Sequence, residues 1–315
     1  MSTFEEARGS AVDTLPGRRR LVVGAVGIVF WTWLLARWAY HNAWLDSLFT
    51  AVGFPDLIRS ELGVSQREPW LPLEPFESFD LVSLAIESAP SLAAGAFITV
   101  YLTVLSMLFG LVIAVPLAVA RTYGGPVLSR VSLAYTELIR GTPLLAQLFF
   151  LYFGLPLASA FDSIGFVGQS GIPRGAIFVA IVGFTINSSA YQAEYIRAAL
   201  QSVDPGQLTA ARAVGLSRTQ GIRHVVLPQG LRFAIPGWTN EFIYLIKYSS
   251  LAAFITVPEL FRRGRNIGSD TFEFTNIYII VALFYLALVL TTSLAMARLE
   301  RTVAIPGLGT ASERD

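Results

Sequence analysis

Cysteine is absent from the 315 residues, and lysine occurs once, at position 247. The first absence excludes disulfides, thiolate metal sites and a cysteine nucleophile, and leaves the redox compartment unread. The second bears on nucleotide chemistry. A phosphate-binding Walker loop needs Gly-Lys-Ser/Thr after an earlier glycine, and the single lysine is flanked by Ile246 and Tyr248. The chain therefore cannot hold ATP in that manner. Histidine appears only at His41 and His224, remote in sequence and without metal-ligand spacing. Neither a Gly-x-Ser-x-Gly elbow nor a convincing pair of catalytic carboxylates is present, so no enzyme class is supported. Charge is scarce as well, at 14% of residues.

What is abundant is apolar: 54% of the chain, too much for a water-soluble globule of this length to cover. Apolar runs reach the roughly 18 to 20 residues that a helix needs to cross hydrocarbon, and sheet-like alternation is nowhere sustained. Spans are expected at Leu21–Tyr40, Leu92–Ala120, Leu133–Leu157, Ala176–Tyr191, Phe233–Ile255 and Ile277–Ala297. The fold class is an all-α integral membrane protein, a polytopic bundle of about six spans with a cytoplasmic helical loop.

The first span follows Arg18-Arg19-Arg20, like the start of a signal peptide, but its apolar stretch is long and Trp-rich and lacks a small-residue cleavage pattern, so it is read as a retained anchor. An inside N-terminus puts most of the remaining arginines inside too, among them Arg121, Arg130, Arg197, Arg212, Arg218, Arg223 and Arg298. By the positive-inside rule both termini are cytoplasmic. The expected organisation is a cytoplasmic tail (1–20), an N-terminal anchor (21–40), an acidic extracytoplasmic loop (41–90), a transmembrane domain (91–301) and a cytoplasmic tail (302–315).

The inner loop over 194–229 carries helix signals of its own. Asp204-Pro205-Gly206-Gln207 supplies an N-cap, a proline at the first helical position and a glutamine placed to close a capping box. Gly215 can end that helix, and Ser217 with Gln220 can cap a second one before Pro228. Two short helices at a turn are expected, held between two spans.

Polar residues recur at helical spacing inside the spans. Asn240, Tyr244 and Lys247 share a face, as do Asn187, Tyr191 and Glu194, and a milder stripe runs through Thr99, Thr103, Ser106 and Gly110. Such stripes line a wet pathway or pack helices together, and both readings stay open. An intramembrane lysine needs water or a counter-ion, which favours the pathway for its stripe. Glu137 and Arg140 stand one turn apart before Gly141-Thr142-Pro143, where an ion pair above a proline break is expected. Glu241 is placed either against Arg140 or near the inner interface.

The inner loop reads Gly206-Gln207-Leu208-Thr209-Ala210-Ala211-Arg212-Ala213-Val214-Gly215, then nine residues, then Val225-Val226-Leu227-Pro228. It resembles the EAA loop of ABC importer permeases, with Thr209 in place of the glutamate. The stretches Glu137–Leu145, Gln147–Pro156, Asn187–Arg197 and Asn240–Leu251 resemble the polar-amino-acid branch (His/Glu/Gln/Arg/opine type), with Tyr248 where that branch carries an acid. The resemblance implies a permease subunit of a binding-protein-dependent import system that moves an amino acid across a prokaryotic inner membrane by alternating access. It implies as partners an ATPase dimer carrying ATP and Mg, a second permease subunit and an extracytoplasmic solute-binding protein, with no cofactor on this chain and no nucleic acid. The coupling residues would be Gly206, Gln207, Thr209, Ala210, Ala211, Gly215, Leu227 and Pro228, with Ala210, Ala211 and Gly215 offering a small face to an ATPase groove. The competing reading is an ion-gradient-driven secondary transporter, for which internal repeats would be expected and are not evident.

Overall fold

The computed structural model describes residues 17–41, 80–165, 167–168 and 174–303. The terminal tails and nearly all of the acidic loop lie outside these. The described residues form eleven α-helices, in order: α1 (Gly17–His41), α2 (Asp80–Tyr123), α3 (Pro126–Arg140), α4 (Leu144–Phe149), α5 (Leu157–Asp162), α6 (Gly175–Ser202), α7 (Pro205–Ala213), α8 (Arg218–Gly221), α9 (Leu227–Tyr248), α10 (Leu260–Thr271) and α11 (Phe274–Val303). Among the described residues there is no strand.

Among the described residues three helices, α2, α6 and α11, are long and apolar enough to span a membrane, and a fourth span results if the segments 218–255 and 260–271, bent by 51°, count as one. The expected count of six is thus not reached by single helices. The third expected span, Leu133–Leu157, is broken at Gly141-Thr142-Pro143, because proline offers no N–H to the preceding turn. Its second half continues from α4 through a π-helical turn over Phe150–Gly154. The helix expected from Leu92 begins earlier, at Asp80. At 1.5 Å per residue α2 is about 66 Å long, well beyond the ~30 Å hydrocarbon core.

Burial sorts the helices by depth in the bundle. In their most apolar stretches 67% of the residues are buried for α6 but only 22% for α11, so α6 is the central post and α11 lies at the periphery of the bundle. Small residues let α6 take that position: Gly183, Ser188, Ser189, Ala190 and Ala193 are all buried, and helices without bulky knobs approach closely in lipid. Asp162 at the end of α5 accepts from Gly175 N at 2.7 Å and so satisfies the first turn of α6.

Three apolar cores stack along α2. One joins Leu34 and Trp38 of α1 to Leu92, Leu260, Ile280 and Leu288. The middle one gathers Leu102, Met107, Leu148, Phe184 and Leu245. The last holds Ala114, Ala118, Ile196, Leu200 and Val226, with Leu208 of α7 packed against it. The N-terminal helix is fastened by more than apolar contact, since Trp38 Nε1 donates to Ala93 O at 2.8 Å.

Candidate functional site

The loop between α6 and α9 forms a compact helical pair. Asp204 caps α7 by accepting from Gly206 N at 2.7 Å, and Pro205 occupies the first helical position, where no N–H is needed. Gln207 does not close the expected capping box; its Oε1 accepts instead from Gln229 Nε2 at 3.5 Å, at the start of α9. Gly215 stands at φ +92°. Its N–H donates to Arg212 O and the next one, of Leu216, donates to Ala211 O, both at 3.1 Å. This is the paired closure of a left-handed helix end, which favours glycine. Ser217 and Gln220 form a reciprocal capping box on α8. Pro228 does not terminate that helix, because a π-helical turn over Ile222–Val226 carries the chain directly into α9, where Leu227 N reaches Ile222 O. Proline is then tolerated in the first turn of α9.

Two contacts fix this pair to the bundle. Leu208 enters the lowest core, and Arg218 Nη2 donates to Tyr123 O at the end of α2, at 3.3 Å. The small-face expectation needs correction at Ala211, which is 5% exposed. A Cβ on Gly221 would lie 3.3 Å from the Ala211 Cβ and 2.8 Å from Leu208 Cδ1, so Ala211 seats α8 against α7 and faces inward. The outward face is made by Thr209, Ala210, Arg212, Ala213 and Val214, the last 79% exposed.

The intramembrane stripes separate into different surroundings. Asn187 is buried and its Nδ2 donates to Gln147 Oε1 at 3.1 Å. Tyr191 lies under the Arg140 guanidinium, 5.3 Å from its ring centroid. Glu194, the third member, is engaged by Arg121 at 2.8 Å and Arg197 at 3.0 Å, and Arg121 also donates to Thr136 at 2.9 Å. This ion cluster ties α2, α3 and α6 together. Thr99 and Thr103 are buried; Thr103 donates to Thr99 O, and Thr99 Oγ1 accepts from Leu260 N at the start of α10.

On α9, Asn240 is partly buried, whereas Tyr244 and Lys247 are exposed. Lys247 Nζ stands 4.5 Å from the Tyr244 ring centroid. The same lysine borders a crevice of about 300 Å³ with Phe261, Tyr278, Val281 and Tyr285. Glu137 and Arg140 make the expected i,i+3 contact, at 3.9 Å. Glu241 is buried against the Ser188 hydroxyl, while Arg140 is turned to Glu137 and Tyr191.

Residues that no sequence stripe singled out complete the picture. Gln147 Nε2 donates to Ile139 O at 2.7 Å and to Thr142 O at 3.2 Å, satisfying carbonyls freed by the break before Pro143. Glu259 is fully buried and accepts from Phe261 N, Arg262 N and Tyr285 OH, holding the start of α10 within the bundle. Helix-cap logic could have suggested Glu259, which precedes an amphipathic run; Gln147 opens the family-like stretch Gln147–Pro156, but no cap or stripe assigns it this role.

A multi-pass helical membrane protein with a capped helix pair mounted between two of its long helices is a transport-type architecture. The model of the binding-protein-dependent transport system inner membrane component matches residues 106–305, and the chain belongs to that family. It is 40% identical over 216 residues to the glutamine transport system permease protein GlnP of Escherichia coli K12, covering 69% of this chain and 94% of that one. It is 39% identical over 221 residues to the probable amino-acid ABC transporter permease protein YckA of Bacillus subtilis, covering 70% and 92%. Among solved structures it is similar to an amino acid ABC transporter crystallised with histidines, at TM-score 0.61 and 34% identity over 71% of this chain and 98% of that one. The MetNI methionine transporter shares the fold, at TM-score 0.57 and 24% identity, over 68% of this chain and 96% of that one.

Proposed function

We propose that this chain is the permease of an importer for polar amino acids, taking its substrate from an extracytoplasmic binding protein and driven by a separate pair of ATPase subunits. The observation that carries the reading is the α7–α8 pair. It is capped at both starts, fixed to α2 and α6, and presents Thr209, Ala210, Ala213 and Val214 outward, where none of the described residues covers them. A partner surface for that face is what an ATP-driven system requires, and the spacing from Gly206 to Pro228 follows the family's coupling loop.

The substrate class rests on the relatives, whose names specify glutamine, nopaline and L-cystine transport. The pathway runs along the exposed side of α9, past Tyr244 and Lys247, and the neighbouring Asn187 and Tyr191 of α6. Thr99, Thr103 and Glu194 serve packing and ion pairing at its margins. A second permease subunit closes the pathway from the other side, and both termini are cytoplasmic, with α1 entering the membrane after Arg18–Arg20.

The deciding experiment reconstitutes the chain with its ATPase and binding protein in proteoliposomes. Uptake of radiolabelled L-glutamine, L-arginine or L-cystine is expected with internal ATP and not with an ion gradient alone. Uptake driven by a proton or sodium gradient without ATP, or ATP turnover by the contaminant-free subunit on its own, overturns the proposal.

A further inference from the structure

At the centre of the bundle, α2, α6 and α9 meet at one side chain. Gln192 on α6 is fully buried. Its Nε2 donates to Met107 O on α2 at 3.2 Å and to the Ser188 hydroxyl at 2.8 Å, and its Oε1 accepts from Trp238 Nε1 on α9 at 2.9 Å. Gly110 makes the approach possible, since a Cβ there would lie 2.6 Å from Gln192 Nε2. A primary amide has two N–H donors and one oxygen acceptor, and here all are used, across three helices. Leucine or methionine in the same space would fill the volume and join nothing.

The position of this junction along α9 gives it a mechanical meaning. Pro236 interrupts the hydrogen-bond ladder of α9 two residues before Trp238, and a helix bends most readily at such a point. Below the proline, Gly230 is packed tightly on Leu200 of α6, next to the capped loop. Above it lies the stretch bearing Asn240, Tyr244 and Lys247. The lower half of α9 is thus held to α6 by apolar contact, whereas the upper half is held at its base by the Gln192–Trp238 hydrogen bond and by Gly237 packed on Tyr195, and a turn further by Glu241 against the Ser188 hydroxyl. Helix α6 itself runs unbroken from Gly175 to Ser202 and feeds directly into Val203 and α7.

We propose that Gln192 is a positioning residue that makes the pathway half of α9 move with α6, so that displacement of the α7–α8 pair reaches Asn240, Tyr244 and Lys247 rather than being absorbed at Pro236. The inference rests on the importer reading above. Gln192 touches no substrate in this scheme; it acts through Trp238.

The test uses the reconstituted complex of full-length chain, ATPase and binding protein, and measures radiolabelled L-glutamine uptake and ATP hydrolysis in the same vesicles. Gln192→Leu and Trp238→Phe are each expected to lower uptake per ATP hydrolysed by about tenfold, with basal hydrolysis and recovery of the complex unchanged, and the double variant to be no worse than the more damaging single one. A role in folding alone would lower both activities together with recovery. That outcome overturns the proposal, as does an unchanged uptake per ATP or a double variant whose loss is the product of the two singles. Should Gln192→Leu fail to assemble, Trp238→Phe decides, because it removes the indole N–H and, though smaller than the indole, keeps an aromatic ring against Phe242. If the unsubstituted complex shows no ATP-driven uptake of any amino acid, the importer reading fails and this proposal falls with it; a complex that transports normally while the variants keep their uptake per ATP overturns this proposal alone.

Discussion

Arg121 and Glu194 meet at 2.8 Å although 73 residues separate them, joining the end of α2 to α6. Their side chains are 18% and 14% exposed, so the pair is mostly withdrawn from solvent. Removing one partner of a buried pair is costly because the other charge is stranded, about 3–5 kcal/mol when burial is complete against ~1 kcal/mol or less at a surface. Glu194→Ala strands both Arg121 and Arg197 and is expected to cost about 2 kcal/mol, between those limits. Arg197→Ala, which removes a local i,i+3 partner, is expected to cost less. Thermal unfolding of the detergent-solubilised subunit ranks the two, and equal effects would show that the inter-helix arm contributes nothing.

The helical loop permits a sharper separation of folding from docking. Ala213→Trp enlarges the outward face and is expected to abolish co-purification of the ATPase while the permease remains as stable as before. Ala211→Trp instead forces α8 off α7, because the Ala211 Cβ has Gly221 directly against it, and overpacking of this kind costs about 1–3 kcal/mol. Gly215→Ala meets no neighbour within 4 Å, but it places a Cβ at φ +92° and is expected to loosen the loop by about 1 kcal/mol. Proteolysis of the loop, followed beside ATPase recovery, distinguishes the three. Normal ATPase recovery with Ala213→Trp would mean that this face is not the contact surface.

Much of this loop was legible because its code is local. Ser217 and Gln220 are three residues apart, and the positive φ of Gly215 follows from where α7 must stop. The break after Arg140 was legible for the same reason, a Gly-Thr-Pro triplet. What the sequence could not show are relations that exist only after packing. Glu194 shares a helical stripe with Asn187 and Tyr191, yet its partner is on α2. Ala211 shares its small size with Ala210, yet one faces in and the other out, since a hundred-degree step on a nine-residue helix is enough to exchange core for surface. The Gln192–Trp238 bond links residues 46 apart that neither periodicity nor capping connects.

The N-terminal helix lies outside the residues matched by the family model, and its attachment can be tested alone. Trp38 is 4% exposed and donates to Ala93 O. Trp38→Phe keeps an aromatic ring beside Phe97 but leaves that bond unmade, and is expected to lower stability by about 0.5–1.5 kcal/mol. Trp33→Phe, at a position that packs on Phe284 by ring contact, serves as the comparison. If Trp38→Phe unfolds at the same temperature as the unsubstituted chain, α1 is held by apolar contact only.

Lys247 carries the clearest prediction about the pathway. An ammonium within the spanning region needs water, a counter-charge or an aromatic face, and the structure supplies the third, with Nζ 4.5 Å from the Tyr244 ring centroid. Tyr244 and Tyr248 are both about half exposed, at 47% and 49%, so the ammonium sits at an accessible surface rather than in a sealed core. Cation–π attraction at such a site contributes about 0.5–1 kcal/mol, enough to orient the side chain and too little to bind it permanently. A substrate carboxylate could therefore draw the ammonium away at small cost. Lys247→Met is expected to leave the purified complex intact and to lower L-glutamine uptake mainly by raising KM. Tyr244→Phe keeps the aromatic face and should behave nearly as the unsubstituted chain, whereas Tyr244→Ala should resemble Lys247→Met in part, because the ammonium is no longer aimed. Uptake kinetics across the three variants check this order. Normal KM in Lys247→Met, or loss of the complex in place of loss of affinity, would assign the lysine to packing in the crevice with Phe261 and Tyr278 and remove it from the pathway.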